Sequence, residues 1–452
     1  MRFRGPVVLP AAVLACVAGV VPAAATPPAS GGTWHPRPVV VSTAADGTPA
    51  DGESRDAVVS GNGRFVAFVS DAGNLVPGDT NGLADVFVKD LRTGAVDRAD
   101  VADDGSQADA AASHVSVSAD GRYVAFDSYA GNLAPGDTPG AWDVFVHDRA
   151  TGRTEAVVPR PGGDPGNSYD PVISANGRHV AYASYRDDLV PQDTNSGIDV
   201  FVHDRARGTT RLASVFTDHI GGTSTSLAPT ISADGSRIGF RRMWYPPRGT
   251  AAARAPRGPR PWWFYVHDTR TGKTVPAAVD REGNTLNMPA SPTTGLGPDG
   301  RYAVFSSPSA DVVDGDTNDA ADVFVRDLTT GTTRRVSTAA DGAQAHDGSG
   351  RGRLSAGARR VFFTSAADNL VPGDTNGARD VFAKDLRTGV VRRLDVAADG
   401  TESPTGTEEV TTDTTGRTAV FPHDDGLVPG DVNGHRDILA LRLPPSLEAA
   451  DR

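Results

Sequence analysis

Oxygen-bearing side chains recur in this sequence at a spacing that could wrap a hard cation. Gly78-Asp79-Thr80-Asn81-Gly82 is followed by Asp85. The same trio returns as Asp193, Asn195 and Asp199, as Asp316, Asn318 and Asp322, as Asp374, Asn376 and Asp380, and as Asp431, Asn433 and Asp437. A further copy has Asp137 and Asp143, with Pro139 in place of the asparagine. Oxygens at i, i+2 and i+6, completed by main-chain carbonyls and water, would suit Ca2+, which takes about six to eight oxygen ligands. The spacing is two residues shorter than in the Asp-x-Asn-Gly-Asp-Gly-x-x-Asp type of calcium loop, and the closing Glu of an EF-hand is missing. The alternative is turn chemistry, in which Asp and Asn accept their own downstream amides and the last Asp starts a strand. Both readings predict a ring of acidic loops.

A second concentration has the opposite charge. Between Phe240 and His267 the chain carries Arg241, Arg242, Trp244, Tyr245, Arg248, Arg254, Arg257, Arg260 and Trp262, and no acid. Arg and Trp are enriched where binding energy concentrates, and a guanidinium stacked on a ring suits a protein, peptide or glycan partner. The other reading makes Trp263 and Phe264 a core strand and the Arg/Pro/Ala stretch an insertion lying against the acidic loops. His147, His203 and His267 share one repeat position with Lys89, Arg326 and Lys384, which predicts solvated strand ends, too far apart to share a metal. No Gly-x-Ser-x-Gly and no His-Glu-x-x-His occurs, so no catalytic residue is assigned.

The elements that carry these groups are repeats. One copy reads His114-Val-Ser-Val-Ser118, Ala-Asp-Gly-Arg, Tyr123-Val-Ala-Phe-Asp-Ser128, a loop, Asp143-Val-Phe-Val-His-Asp148, Arg-Ala-Thr-Gly, and Thr154-Glu-Ala-Val-Val158. These are four β-type runs, A to D, separated by turn signals. The aromatic of run B marks the register at Phe68, Phe126, Tyr182, Phe240, Phe305, Phe363 and Phe421, at intervals of 56 to 65 residues. Asn62-Gly63, Asp120-Gly121, Asn176-Gly177, Asp234-Gly235 and Asp299-Gly300 suit tight A–B hairpins. Run C is continuously apolar, as in a sheet covered on both faces. Four-stranded units at this period predict an all-β fold, a seven-bladed β-propeller of antiparallel blades.

The last copy stops near Leu443 without its run D. Val41-Ser-Thr-Ala-Ala-Asp-Gly47 repeats Val336-Ser-Thr-Ala-Ala-Asp-Gly342, the run D and exit of the fifth copy. Residues 38–43 should therefore complete blade seven and close the ring, removing an open sheet edge. The Ser-Ala-Asp-Gly-Arg hairpin, the apolar-aromatic strand and Asp-Val-Phe-Val-x-Asp-x-x-Thr-Gly together resemble the TolB-like (WD40-like, PD40) repeat family over about residues 38–443. The resemblance implies a propeller. Family members include periplasmic protein-binding propellers, the propellers of prolyl-oligopeptidase-type peptidases, and some lyases. The TolB type adds an N-terminal α/β domain and has six blades, and this chain has no room for that domain.

The remaining signals concern location and partners. Arg2 and Arg4, the apolar stretch Val7 to Val21, and Ala23-Ala24-Ala25 predict a signal peptide over 1–25, a linker over 26–37, the propeller over 38–443 and a tail over 444–452. Export follows, with lipoprotein anchoring at Cys16 as the rival. Cys16 is the only cysteine, so the processed chain has no disulfide and no thiolate site. A net charge of −12 argues against nucleic acid and anionic lipid as partners. No other segment is apolar enough to span a membrane, and a monomer is expected. The B–C and D–A loops are long and share one face, where function is expected. The first reading is an exported scaffold that binds a partner there. The second is a lyase or hydrolase at the tunnel mouth, lined by residues such as Ser113, His114, Tyr169, Asp170, Thr230, Asp347 and Glu409. A cluster of His, Arg and carboxylates there would favour the second.

Overall fold

A computed structural model describes residues 36–135, 137, 140–157, 166–216, 223–245, 262–288, 294–424, 426–431 and 433–447. The expected signal peptide and Cys16 lie outside the described residues, as do positions 248, 254, 257 and 260 of the arginine-rich stretch and Pro139. Among the described residues, no helix is long and apolar enough to cross a membrane.

The chain forms seven four-stranded antiparallel sheets. Blade one comprises strands A to D at Ser54–Val59, Phe65–Ser70, Asp85–Asp90 and Val96–Arg98. The A strands of blades two, three, four and six are Ala112–Val117, Ser168–Ile173, Thr223–Ile231 and Ser349–Leu354. Blade five begins with Thr294–Leu296 and blade seven with Thr411–Thr412. Strand C is buried along its length in blades one and six, because a neighbouring blade covers each face. Phe68 and Phe87 of blade one, for example, pack against Val420, Ile438 and Ala440 of blade seven.

Closure is as the repeated sequence predicts. Val39–Val40 pairs with Ala440 and Leu439 and forms the outer strand of blade seven. Ser42 then locks the join: its hydroxyl donates to the Asp437 carboxylate and accepts the Ile438 N–H at 2.9 Å. The tail is also fastened. Arg360 donates to the carbonyls of Gly416 and Pro444, Arg392 donates to that of Leu447, and the Leu447 side chain is buried.

The short-turn face explains two residues of the repeat that the period alone left without a reason. In blades one, two, three and five the arginine after the A–B turn grips the aspartate ending strand C: Arg64–Asp90, Arg122–Asp148, Arg178–Asp204 and Arg301–Asp327, at 2.5–2.7 Å. The turn glycine makes room for the neighbouring blade. A Cβ at Gly121, whose φ is 77°, would lie 2.1 Å from the Phe65 ring. One expectation is corrected. Lys89, His147, His267 and Lys384 are buried rather than solvated strand ends. His147 and His267 bond Thr154 and Thr274 across the C–D pair, while Lys89 and Lys384 reach carbonyls of the preceding blade, at Thr43 and Thr338.

Candidate functional site at the tunnel mouth

The inner strands begin at the long-loop face, and in five blades the pairing slips near the start. The slips fall between Arg55 and Val58, Ala112 and Val115, Tyr169 and Val172, Leu227 and Thr230, and Gly350 and Arg353. A bulge of this kind re-aims a side chain. Counted from the ladder, the bulge position is Asp56, His114, Asp170, Ala228, Arg351 and, in blade seven, Glu409; its blade-five counterpart lies outside the described residues. Asp56, Asp170, Ala228 and Arg351 hold φ between 50° and 55°, a left-handed conformation costing roughly 1 kcal/mol or more for a residue with a Cβ. Ala228 shares the strain, so the bulge itself is architectural. What differs around the ring is the charge placed on it.

Blade two holds the best-ordered part of this ring. Asp127, on strand B (Tyr123–Ser128), is fully buried and accepts three N–H groups. These are the His114 main chain at 2.8 Å, the His114 Nδ1 at 2.9 Å and the Asp170 main chain at 3.0 Å. His114 Nε2 faces Asp170 Oδ1 at 3.3 Å. Burial opposes an imidazolium here, but the Asp127 hydrogen bond and the charges of Asp127, Asp170 and Asp56 overcome it and lift His114 to about 9. Burial pushes Asp56 up to about 6, against the charge of His114 and an N–H from Val115 at 2.7 Å. Arg241 opposes the burial shift of Asp170, and Glu409 sits 3.9 Å from Arg351. Asp56, His114, Glu408, Glu409, His423 and Arg436 line a cleft of about 330 Å³.

An aromatic patch flanks the charged ring over blades two and three. Tyr129 packs on Trp142 and Tyr169 on Tyr185, with ring centroids 5.8 and 6.0 Å apart. Tyr129 and Tyr185 are 43% and 52% exposed, which is unusual for large rings in this fold. Of the tunnel-lining residues expected from sequence, His114, Tyr169, Asp170 and Glu409 gather here, Ser113 lines the same cleft, and Asp347 is exposed on the rim. Thr230 sits one ladder position deeper, level with Arg353. Asp56, Asp127 and Arg351 were missed. The signal for Asp127 was available: it is an acid at a strand-B position where other blades carry Val69, Ala183, Ser306 or Thr364.

Of the arginine-rich stretch, Arg242 and Trp262 are buried in the fold. The Arg242 guanidinium lies 3.6 Å from the Phe216 ring centre, and Trp262 bridges Met288. Arg241 reaches over Trp262 toward the tunnel side, while Trp244 and Tyr245 are half-buried. Only part of the stretch therefore presents itself to a partner at the described positions.

The Asp/Asn loops have a uniform geometry. Each asparagine oxygen accepts an N–H two residues on, at Leu83, Gly197, Ala320, Ala378 and His435. Its amide nitrogen donates to the strand-C acid, at Asp85, Asp199, Asp322, Asp380 and Asp437. In blades one, five and six an arginine from strand D lies between the two acids of the loop. Arg98 is 3.2 and 3.1 Å from Asp79 and Asp85, Arg335 is 3.3 and 3.4 Å from Asp316 and Asp322, and Arg393 is 3.1 and 2.9 Å from Asp374 and Asp380. The protein thus supplies a cation of its own at three of these loops. Blades three and seven have Leu212 and Val40 at the matching strand-D position. There burial, then the charge of Asp199, raises Asp193 to about 6. Asp137 and Asp143 of blade two lack the asparagine strut.

No protein-family model and no curated protein matches this sequence. Solved structures match by fold. Oligogalacturonate lyase from Vibrio parahaemolyticus gives a TM-score of 0.52 at 12% identity, over 92% of this chain and 99% of the lyase. The β-propeller domain of the Trilobed protease from Pyrococcus furiosus gives 0.51 at 12% identity, over 86% and 95%. TolB from Acinetobacter baumannii is also similar, with a TM-score of 0.37 and 16% identity over 69% of this chain and 61% of that one. At such identities the likeness is one of fold, and this chain is a seven-bladed β-propeller similar in architecture to the propellers of a lyase and a protease.

Proposed function

We propose that this protein is an exported binding propeller that takes a charged peptide segment of a partner protein into the tunnel mouth on its long-loop face. The observation that carries the reading is the bulge ring, where one repeated position, left-handed at Asp56, Asp170 and Arg351, bears Asp56, His114, Asp170, Arg351 and Glu409. Both signs are present, with Arg241 and Arg353 adding positive charge beside the acids. A partner matching this ring must itself carry both signs, as a peptide does and a uniformly acidic saccharide does not. Tyr129, Trp142, Tyr169 and Tyr185 supply rigid apolar area next to it, the usual makings of a binding hot spot. Trp244 and Tyr245 of blade four extend the contact surface. Export rests on the N-terminal segment described above, and Ca2+ at the Asp/Asn loops of blades three and seven, where Leu212 and Val40 stand at the strand-D position, belongs to the same reading.

Selection from a displayed peptide library on the chain from residue 26 tests this. Enrichment of peptides bearing both acids and bases is expected, weakened at least tenfold by Glu409→Lys and by Tyr185→Ala. Recovery of no consensus, or a consensus indifferent to both changes, overturns the reading. A glycan array provides the competing outcome.

A second reading, a lyase or hydrolase at the same mouth, is favoured by one feature. Asp56, at about 6, is poised for proton transfer beside the cationic His114. Turnover of a peptide or oligosaccharide substrate that is lost in Asp56→Asn would decide for it.

A further inference from the structure

We propose that the tunnel mouth binds a divalent transition-metal ion of the zinc class between His114 Nε2 and the Asp170 carboxylate, with Asp127 as the group that orients the imidazole. The inference rests on the tunnel mouth being the working site, and it names a component of that site.

The argument begins with Asp127. It is fully buried and receives only N–H donors from the two inner strands that carry His114 and Asp170. The His114 Nδ1 at 2.9 Å must therefore carry its hydrogen, which leaves Nε2 as the one ring atom that can exchange a proton for a metal ion. Nε2 faces Asp170 Oδ1 at 3.3 Å. The gap between those two atoms takes either the Nε2 proton or a metal ion. A shared proton would draw them to about 2.7–2.9 Å. A tetrahedral zinc, with its nitrogen at about 2.05 Å and its oxygen at about 2.1 Å, sets those two atoms roughly 3.4 Å apart.

One ligand atom from each of His114, Asp127 and Asp170 lies within 4.8 Å of the others. A carboxylate behind a ligating histidine is the outer-sphere arrangement that raises ligand basicity and fixes the ring. One imidazole with carboxylate suits zinc, cobalt or manganese better than calcium, which prefers oxygen alone. The backbone serves the same end, since the left-handed φ of 55° at Asp170 turns its carboxylate toward blade two. Charge is compatible as well: Asp56 and Glu409 offset the nearby Arg241 and Arg351. With two protein ligands the ion keeps open positions facing the mouth, where a carboxylate or carbonyl of a bound segment could complete its shell.

The test uses the untagged chain from residue 26, stripped with chelator and titrated with Co2+ followed by its visible bands, and with Zn2+ by calorimetry. One ion per chain is expected. His114→Gln and Asp170→Asn should each weaken binding by about 100-fold or more. Asp127→Asn should weaken it by about 10–100-fold, the usual penalty for losing an outer-sphere carboxylate. Asp347→Asn, an exposed acid on the same rim, should bind as the parent does. Unchanged melting of metal-free Asp170→Asn shows that the fold is intact. Absence of Co2+ and Zn2+ binding in the parent, or parental binding by both His114→Gln and Asp170→Asn, overturns the proposal. Repeating the peptide selection on stripped protein separates the two readings. Peptide capture without metal binding removes the metal alone, and metal binding without peptide capture removes the peptide reading alone.

Discussion

Replacing Ser42 with alanine should unfasten the ring at its join. The Ser42 hydroxyl, Asp437 and Ile438 are all inaccessible to solvent. The substitution orphans the Ile438 N–H, at about 1–3 kcal/mol, and takes one donor from a buried carboxylate that keeps Asn433 at 2.9 Å. A sum of roughly 2–4 kcal/mol corresponds to a factor of about 30–700 in the population of the undocked strand. The ladder it must overcome is short, two residues plus the buried Val41 side chain. Ser337→Ala is the matched control. Its hydroxyl makes the same two bonds, to Val323 N–H at 3.0 Å and Asp322 at 2.5 Å, but in blade five the chain is continuous on both sides. Limited proteolysis with mass spectrometry reads the difference. Ser42→Ala should be cut in residues 36–50 well before the remainder, while Ser337→Ala should lose stability to urea without early release of any segment. If the two variants are cleaved alike, or if Ser42→Ala matches the parent, the closing strand does not carry the join.

Further tests probe the packing, the buried acids and the loops. Gly121→Ala should lower the melting temperature far more than Gly152→Ala: both have positive φ, but only the first would drive a Cβ into a neighbouring blade's ring. Asp395 is raised well above the ordinary carboxylate range by burial and then by the charge of Asp380. A raised folded value means that stability falls as pH climbs above the unfolded value of about 4. Asp395→Ser, which installs the residue found at Ser214, Ser337 and Ser42, should therefore gain more in urea midpoint at pH 8 than at pH 5; an equal gain at both refutes the buried-acid account. Adding Ca2+ to chelator-stripped protein should leave melting unchanged if the Asp/Asn loops are held by their own struts and arginines. A shift that disappears on substituting Asp193 or Asp431 would establish the cation reading for blades three and seven.

The ring was legible because its period is written in the chain. The strand-B aromatics, the turn glycines and the duplicated Val-Ser-Thr-Ala-Ala-Asp-Gly segment fixed blade number, register and closure before any coordinates, since each depends on local pattern or direct repetition. The Asp/Asn loops were equally visible, yet their partners were not. Arg98, Arg335 and Arg393 lie on strand D, 13 residues after the strand-C acid, and only sheet pairing brings them alongside. Histidine and lysine at the shared strand-C position looked solvated for a similar reason: the preceding blade covers that position, and sequence says nothing of what covers it.

The tunnel mouth was legible only in part: His114, Asp170 and Glu409 were expected to line it, while Asp56, Asp127 and Arg351 were not. His114 and Asp170 stand on different blades, and a one-residue slip beside each decides how its side chain is aimed. Repetition in a linear chain can state how many sheets there are and which segment returns to the start. Which side chains of separate sheets meet at the axis depends on the curvature of the closed ring and on backbone slips that carry no sequence signature of their own, so that meeting was decided in three dimensions.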